Sequence, residues 1–221
     1  MIGRTGPGAR RLLPVAALLV ALPLALAAHR IRPAAFGDLV TPRPAAAAPA
    51  PHLLEGRAVT ARRWTYTRTG SSPLAARAFA DHAVVLWEDG LVTDSSLRGG
   101  RVRWHRAIPG AAGWLARPEG RGGQGVLQPL GRDGRMIAVV TPQRIAGYRA
   151  ADGDLRWVLP ARPGCAFQPS RAVLRGSAAV VAQPCADPRA AWTSELIAVD
   201  GLGRVAPDRT PLGNKRLATP R

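Results

Sequence analysis

One unit recurs along most of this chain, and it restricts the fold more than any other feature. His82-Ala-Val-Val-Leu-Trp-Glu-Asp-Gly-Leu-Val-Thr-Asp, followed by Gly99-Gly100-Arg101-Val102-Arg103-Trp104, is one copy. Met136-Ile-Ala-Val-Val-Thr, Arg144-Ile-Ala-Gly-Tyr148-Arg and Asp152-Gly153-Asp154-Leu155-Arg156-Trp157 make a second. Ala178-Ala-Val-Val-Ala, Leu196-Ile-Ala-Val-Asp200-Gly201 and Gly203-Arg204-Val205 make a third, longer one. Each reads as strand, hairpin turn, strand, second turn, and a strand that in the first two copies ends in Arg-Trp. Asp89-Gly90, Gly99-Gly100, Asp152-Gly153 and Asp200-Gly201 fall between apolar runs, and such dipeptides take the positive φ that tight hairpin loops need. An Arg-Trp end also stands upstream at Arg63-Trp64.

Trp64 and Trp104 lie 40 residues apart, and Trp104 and Trp157 lie 53 apart. A period near 40 to 50 residues with several strands per unit marks propeller blades. The pattern therefore predicts an all-β fold, a partial or small β-propeller-like repeat domain of three to four antiparallel blade units. Trp64, Trp104 and Trp157 are expected to pack between neighbouring blades rather than to stack on a flat cofactor.

The V-V-x-x-x-D-G … G-G-R-V-x-W pattern resembles the PQQ-type β-propeller repeat of quinoprotein dehydrogenases and outer-membrane assembly scaffolds. Gly164-Cys165-Ala166-Phe167, Ala182-Gln183-Pro184-Cys185 and Asp208-Arg209-Thr210-Pro211-Leu212-Gly213-Asn214 resemble a short, membrane-anchored actinobacterial family of PQQ-binding-like repeat proteins. The resemblance covers about residues 60–214. Propellers carry about 4 to 8 blades, and this chain has room for three or four units. The ring is then incomplete, the units form an open sandwich, or chains assemble. Open edges need cover, expected from bulges, arginines and the long loop from Ala186 to Thr193.

Upstream of the repeats, Leu12 to Ala28 is an unbroken run of 17 apolar or proline residues, flanked by Arg10 and Arg11 before it and by His29, Arg30 and Arg32 after it. Seventeen is about the shortest span that crosses a bilayer. Pro14 and Pro23 weaken it as a regular helix. Ala25-Leu26-Ala27 also supplies an A-x-A cleavage site, so a transmembrane signal anchor in residues 1–32 and a secreted form cut near Ala27 are both open. Basic flanks on both sides leave the orientation rule silent. Residues 33–57 read as a Pro/Ala-rich linker, a polyproline spacer or an unstructured tether. Residues 58–214 are the β-repeat domain and 215–221 a tail.

The net charge of +17 comes from 31 basic residues against 14 acidic. All but Lys215 of the basic residues are arginine, and they are scattered from Arg4 to Arg221. No basic block interleaved with aromatics and no nucleic-acid motif appears, so no nucleic-acid partner is expected. A GC-rich coding sequence accounts for the arginines, with attraction to anionic head groups as a by-product.

Cys165 and Cys185 are the two cysteines of the chain. In an exported domain two cysteines most simply form one disulfide. Their spacing is wrong for a C-x-x-C redox pair, and His29, His52, His82 and His105 do not adjoin them, so no metal site is expected.

No nucleophile elbow, phosphate loop or metal-binding motif is present. Glu55, Asp81, Glu88 and Asp89 are explained by turns and surface without acid–base roles. Trp87 and Trp114 stay unassigned, and Trp192 in the inserted loop is a candidate partner contact. A quinoprotein enzyme would need a full ring, a metal-binding carboxylate cluster and a catalytic aspartate that cannot be placed. The expectation is a non-catalytic interaction or scaffold module in the cell envelope. It would have no cofactor, a bilayer contact through residues 12–28 and an envelope protein as partner. The alternative is an extracytoplasmic ligand sensor working with a partner chain.

Overall fold

The computed structural model describes residues 35–44, 53–79, 81–131, 134–186, 194–206 and 212–213. The chain divides into two units, Met1–Asp38 and Leu39–Arg221; of the first, only the turn Ala35–Gly37 and Asp38 are described. Among the described residues no helix is long and apolar enough to cross a membrane. The apolar run 12–28 and most of the Pro/Ala segment lie outside them.

The fold is all-β, with four antiparallel sheets in chain order. The first holds β1 (Asp38–Pro42), β2 (Leu54–Glu55), β3 (Ala58–Thr60) and β4 (Trp64–Arg68), paired in the order β1-β4-β3-β2. The second runs β5 (Pro73–Phe79), β6 (His82–Trp87), β7 (Leu91–Ser96) and β8 (Val102–Ala107), each beside the next. A short helix, α1 (Ala111–Leu115), leads to the third sheet of β9 (Leu127–Leu130), β10 (Met136–Val140), β11 (Arg144–Arg149) and β12 (Leu155–Pro160). The fourth runs β13 (Gln168–Arg175), β14 (Ala178–Pro184), β15 (Ser194–Asp200) and β16 (Val205–Ala206). From the C-terminal side β17 (Leu212–Gly213) returns to pair with β12 of the third sheet.

Two strands lie where the sequence reads as linker. β1 and β2 both come from the stretch 33–57. Leu39-Val40-Thr41 is a short β-prone run, and Val40 packs against the core of the first sheet. β1 is an edge strand, so the missing N–H of Pro42 breaks no ladder bond.

Why the repeats lack clean alternation is plain from the packing. The central strands are buried on both faces, which favours continuous apolar runs. In β6, Val85 and Trp87 face Val59, Trp64 and Tyr66 of the first sheet, while Val84 and Leu86 join Leu127, Ile137 and Val139 of the third. In β10, Ala138 and Val140 turn the other way, onto Ala179, Val181, Ile197 and Val199 of the fourth sheet. Three buried clusters thus join four sheets, the local build of propeller blades laid in an open row among the described residues.

A latch fastens each sheet to the next. The Trp64 indole lies on Gly100, in the β7–β8 turn of the second sheet, and its Nε1–H donates to the Leu97 carbonyl at 3.0 Å. Trp104 lies on Gly153, in the β11–β12 turn of the third, and donates to the Ala150 carbonyl at 2.9 Å. Trp157 lies on Gly203, in the β15–β16 turn of the fourth. A Cβ on Gly100, Gly153 or Gly203 would stand 2.7, 2.6 and 2.9 Å from the ring, closer than real side chains pack. Glycine is there because the neighbour's indole occupies the side-chain space.

The third latch differs. The first two turns close with bonds from Gly100 N to Ser96 O and from Gly153 N to Arg149 O, four residues back. The third is shorter, closing from Gly203 N to Asp200 O. The carbonyl that would receive the indole is lost with that residue, and Trp157 Nε1 is buried without an acceptor among the described residues.

Candidate interaction surface

The three sequence-predicted tryptophans are all buried between sheets, each with a glycine turn of the next sheet against its ring. They offer no free face to a flat cofactor, and among the described residues no His, Cys, Asp or Glu cluster stands ready for a metal. Trp87 is core as well: its ring meets Tyr66 edge-on at 5.0 Å, its Nε1–H donates to Thr93 Oγ1 at 2.9 Å, and the Arg68 guanidinium lies 5.2 Å from its centroid. Trp114 is buried on α1. Trp192 lies outside the described residues, as does the loop 187–193.

Cys165 and Cys185 are joined in a disulfide. It ties the connection between β12 and β13 to the end of β14, where the Ala166 N–H donates to the Pro184 carbonyl and the Ala186 N–H to that of Gly164. The bridge spans 20 residues of chain, for which loop-closure entropy supplies about 3 kcal/mol. Cys165→Ser/Cys185→Ser should lose about that much in urea unfolding. Non-reducing peptide mass spectrometry of the isolated protein should show Cys165 linked to Cys185. Two free thiols would contradict both the bridge and an oxidising location.

The acidic residues of the turns do structural work. Asp89 receives Arg68 Nη1 at 2.9–3.0 Å and the Leu91 N–H at 3.2 Å. The Glu88 carboxylate accepts the Ser72 N–H at 3.0 Å, and Asp81 stands 3.6 Å from His82 Nε2.

A cluster that the repeat pattern does not announce sits at Asp94. Its side chain is fully buried in β7. Arg103 Nε of β8 donates to it, and His82 Nδ1 of β6 lies 3.1 Å from its Oδ1. Arg103 Nη2 also reaches the Ala150 carbonyl, the acceptor of the Trp104 latch. Burial pushes the Asp94 carboxyl above its ordinary 3.8, against the pull of Arg103 and His82. The folded protein therefore takes up this proton more readily than the unfolded chain. Stability from this group is fully present below 3.8 and is lost as pH rises through the raised folded value. Wild type should gain stability relative to Asp94→Asn as pH is lowered towards 3.8, measured by urea unfolding at several pH values. A loss on acidification would mean that the ion pairs outweigh burial.

Among the described residues, Val173, Leu174, Leu196 and Leu202 are exposed on the fourth sheet and its turn, Leu155 on the third, and Phe36 and Leu39 on the N-terminal side. Ala179, Val181, Ile197 and Val199 point into the row, so their neighbours in β14 and β15 point out of it. That outer face is apolar too. Val173 pairs with Val180, Val180 with Ala198, and Ala182 with Leu196. Leu196 is 66% exposed and Val173 48%, and Leu202 in the following turn is 66% exposed. At the other end, β4 alternates buried Trp64, Tyr66 and Arg68 with half-buried Thr65 and Thr67. The two ends of the row differ: the first sheet bears Thr65 and Thr67 on β4 with an exposed Leu39 on its edge strand, and the fourth bears an aliphatic face.

No family model matches this chain, and no curated protein matches it. Among solved structures, the crystal structure of BamB from Moraxella catarrhalis is similar over 63% of this chain and 37% of that one, at 17% identity and a TM-score of 0.41. The chain spans little more than a third of that protein's length, and a likeness at this level assigns neither an activity nor a partner.

Proposed function

We propose that this chain is a non-catalytic protein-interaction module of the cell envelope, held at the membrane by residues 12–28 with its β domain outside the cytoplasm. The observation that carries the interaction reading is the aliphatic outer face of the fourth sheet. Four sheets sharing three cores leave two outer faces, and the one on the fourth sheet bears Val173, Val180, Leu196 and Ala198. Exposed contiguous apolar surface on a folded domain marks a contact site. The disulfide supports export, since such bridges persist in oxidising compartments. The likeness of the repeat to PQQ-binding-like proteins supports the same placement, with no cofactor in this chain.

A photo-crosslinking residue in place of Leu196 tests this in cells. We expect a discrete adduct with one envelope protein, absent when the crosslinker replaces Thr65 at the opposite end. No adduct, or the same adducts from both positions, would reject the fourth sheet as the contact.

A further inference from the structure

A second surface, at the start of the fourth sheet, is built more like a binding site than like a flat contact. Between the β8–β9 connection and the start of β13 lies an open cleft of about 540 Å³. Trp114, Phe167 and Pro142 form its apolar lining, and Arg117, Arg171 and Glu119 stand on its rim. Both arginines are exposed and meet no carboxylate among the described residues. Gln168 also lines it, with its amide oxygen buried and meeting no donor among the described residues.

Both walls are held in place. The connection 108–126 is longer than a sheet-to-sheet link needs, and loops of that length in a compact domain usually carry function. It is folded tightly: the Arg117 N–H donates to the Trp114 carbonyl at 2.9 Å and the Gly120 N–H to that of Arg117 at 3.1 Å. Its Gly125 sits directly on the Pro169 carbonyl, with no room for a side chain. The opposite wall, Ala166 to Gln168, follows the Cys165–Cys185 bridge and is pinned by the Phe167 N–H on the Pro142 carbonyl at 2.9 Å.

The first part of this wall is closed to pairing, since Ala166 and Phe167 donate to the Pro184 and Pro142 carbonyls and Pro169 has no N–H; what is left for a partner strand is the stretch 170–172. Among the described residues β13 is an edge strand, with β14 on one side and no strand on the other. Its register skips between Gln168 and Val173, so residues 169–172 bulge away from β14. An unpaired edge receives an extended peptide by strand addition, with side-chain pockets setting the choice. Arginines favour carboxylates through paired N–H donors, and rigid walls lower the ordering cost of binding.

We infer that this cleft takes an extended acidic segment of a partner protein. The segment lies beside residues 170–172 on the bulged edge of β13, with carboxylates on Arg117 and Arg171 and an apolar side chain over Trp114. The inference rests on the interaction reading above but uses a different surface, so the two fail separately.

Fluorescence anisotropy with the full chain in detergent tests it, using a labelled six-residue peptide of alternating Leu and Glu. Saturable binding is expected, at least 10-fold weaker for the same peptide with Gln in place of Glu. Arg117→Ala/Arg171→Ala should weaken the Glu peptide at least 10-fold, whereas Arg98→Ala/Arg204→Ala, which removes the same charge from exposed turns elsewhere, should not. Equal weakening by the two pairs would overturn the site in favour of general attraction to a basic protein. Binding that inorganic phosphate displaces as well as unlabelled peptide does would overturn the peptide in favour of a free anion. A fourth-sheet adduct from position 196 that persists in Arg117→Ala/Arg171→Ala would leave the first surface standing whatever becomes of the cleft.

Discussion

Truncating Trp104 to alanine should lower the unfolding free energy by about 4 kcal/mol, and the melting temperature by roughly 10 °C for a domain of this size. The indole is the contact that fastens the second sheet to the third. Its ring fills the space over Gly153 and its Nε1–H satisfies Ala150. A cavity there weakens the cluster that also holds Val92, Ile137 and Tyr148. The polar part of the latch can be read separately. Trp104→Phe should cost about 1 kcal/mol more than Trp157→Phe, because only Trp104 loses a hydrogen bond. Equal costs, measured by urea unfolding, would mean that the indole N–H contributes nothing at either site.

The complementary change, Gly153→Ala, should be nearly as damaging, at roughly 3 kcal/mol. About 1–2 of that comes from forcing alanine into the left-handed region and the rest from overpacking. Gly153 has φ 67°, and its Cβ would stand 2.6 Å from Trp104 Cδ2. Gly176→Ala provides the control: φ is 60° there and nothing lies within 4 Å, so only the backbone cost of about 1–2 kcal/mol should appear. Combining Gly153→Ala with Trp104→Ala removes the clash, and the double variant should be clearly more stable than the sum of the singles. Simple additivity would mean that the two residues do not press on each other in solution.

Much of this row of sheets is legible in the repeat. The Asp-Gly and Gly-Gly pairs mark hairpins because each ends a β-prone apolar run, and all four dipeptides fall at the strand ends and turns the structure shows. The first strand of the second, third and fourth sheets is not legible. β5, β9 and β13 carry Pro73, Pro129 and Pro169, few β-branched residues, and arginines in two of the three. Their strand character comes from the ladder offered by β6, β10 and β14, which no local pattern reports. β1 is hidden for a similar reason, since Leu39-Val40 becomes a strand only beside β4.

The surfaces show the same division. The disulfide follows from having two cysteines, whereas the glycine that each tryptophan meets belongs to the next sheet and stands at no fixed spacing from it. Asp94 looks like one more polar residue in Leu-Val-Thr-Asp-Ser-Ser, because its partners His82 and Arg103 come from two other strands. The cleft needs Arg117, Pro142 and Phe167 from three separate connections. The outer face of the fourth sheet could not be told from core, because Ala178-Ala-Val-Val-Ala is apolar at every position. Only the absence of a fifth described sheet separates Val180 from Val181.

Three cores shared among four sheets also dictate how this molecule comes apart. Each blade is coupled only to adjacent blades, so cooperativity is of nearest-neighbour type rather than global. The terminal blades have one coupling each and the middle pair two. Backbone amides should therefore exchange with solvent from the tips inward, the first and fourth blades fraying while β6, β7, β10 and β11 hold longest. Whatever docks on the aliphatic tip would add the missing coupling there, and its first effect would be to quiet that fraying.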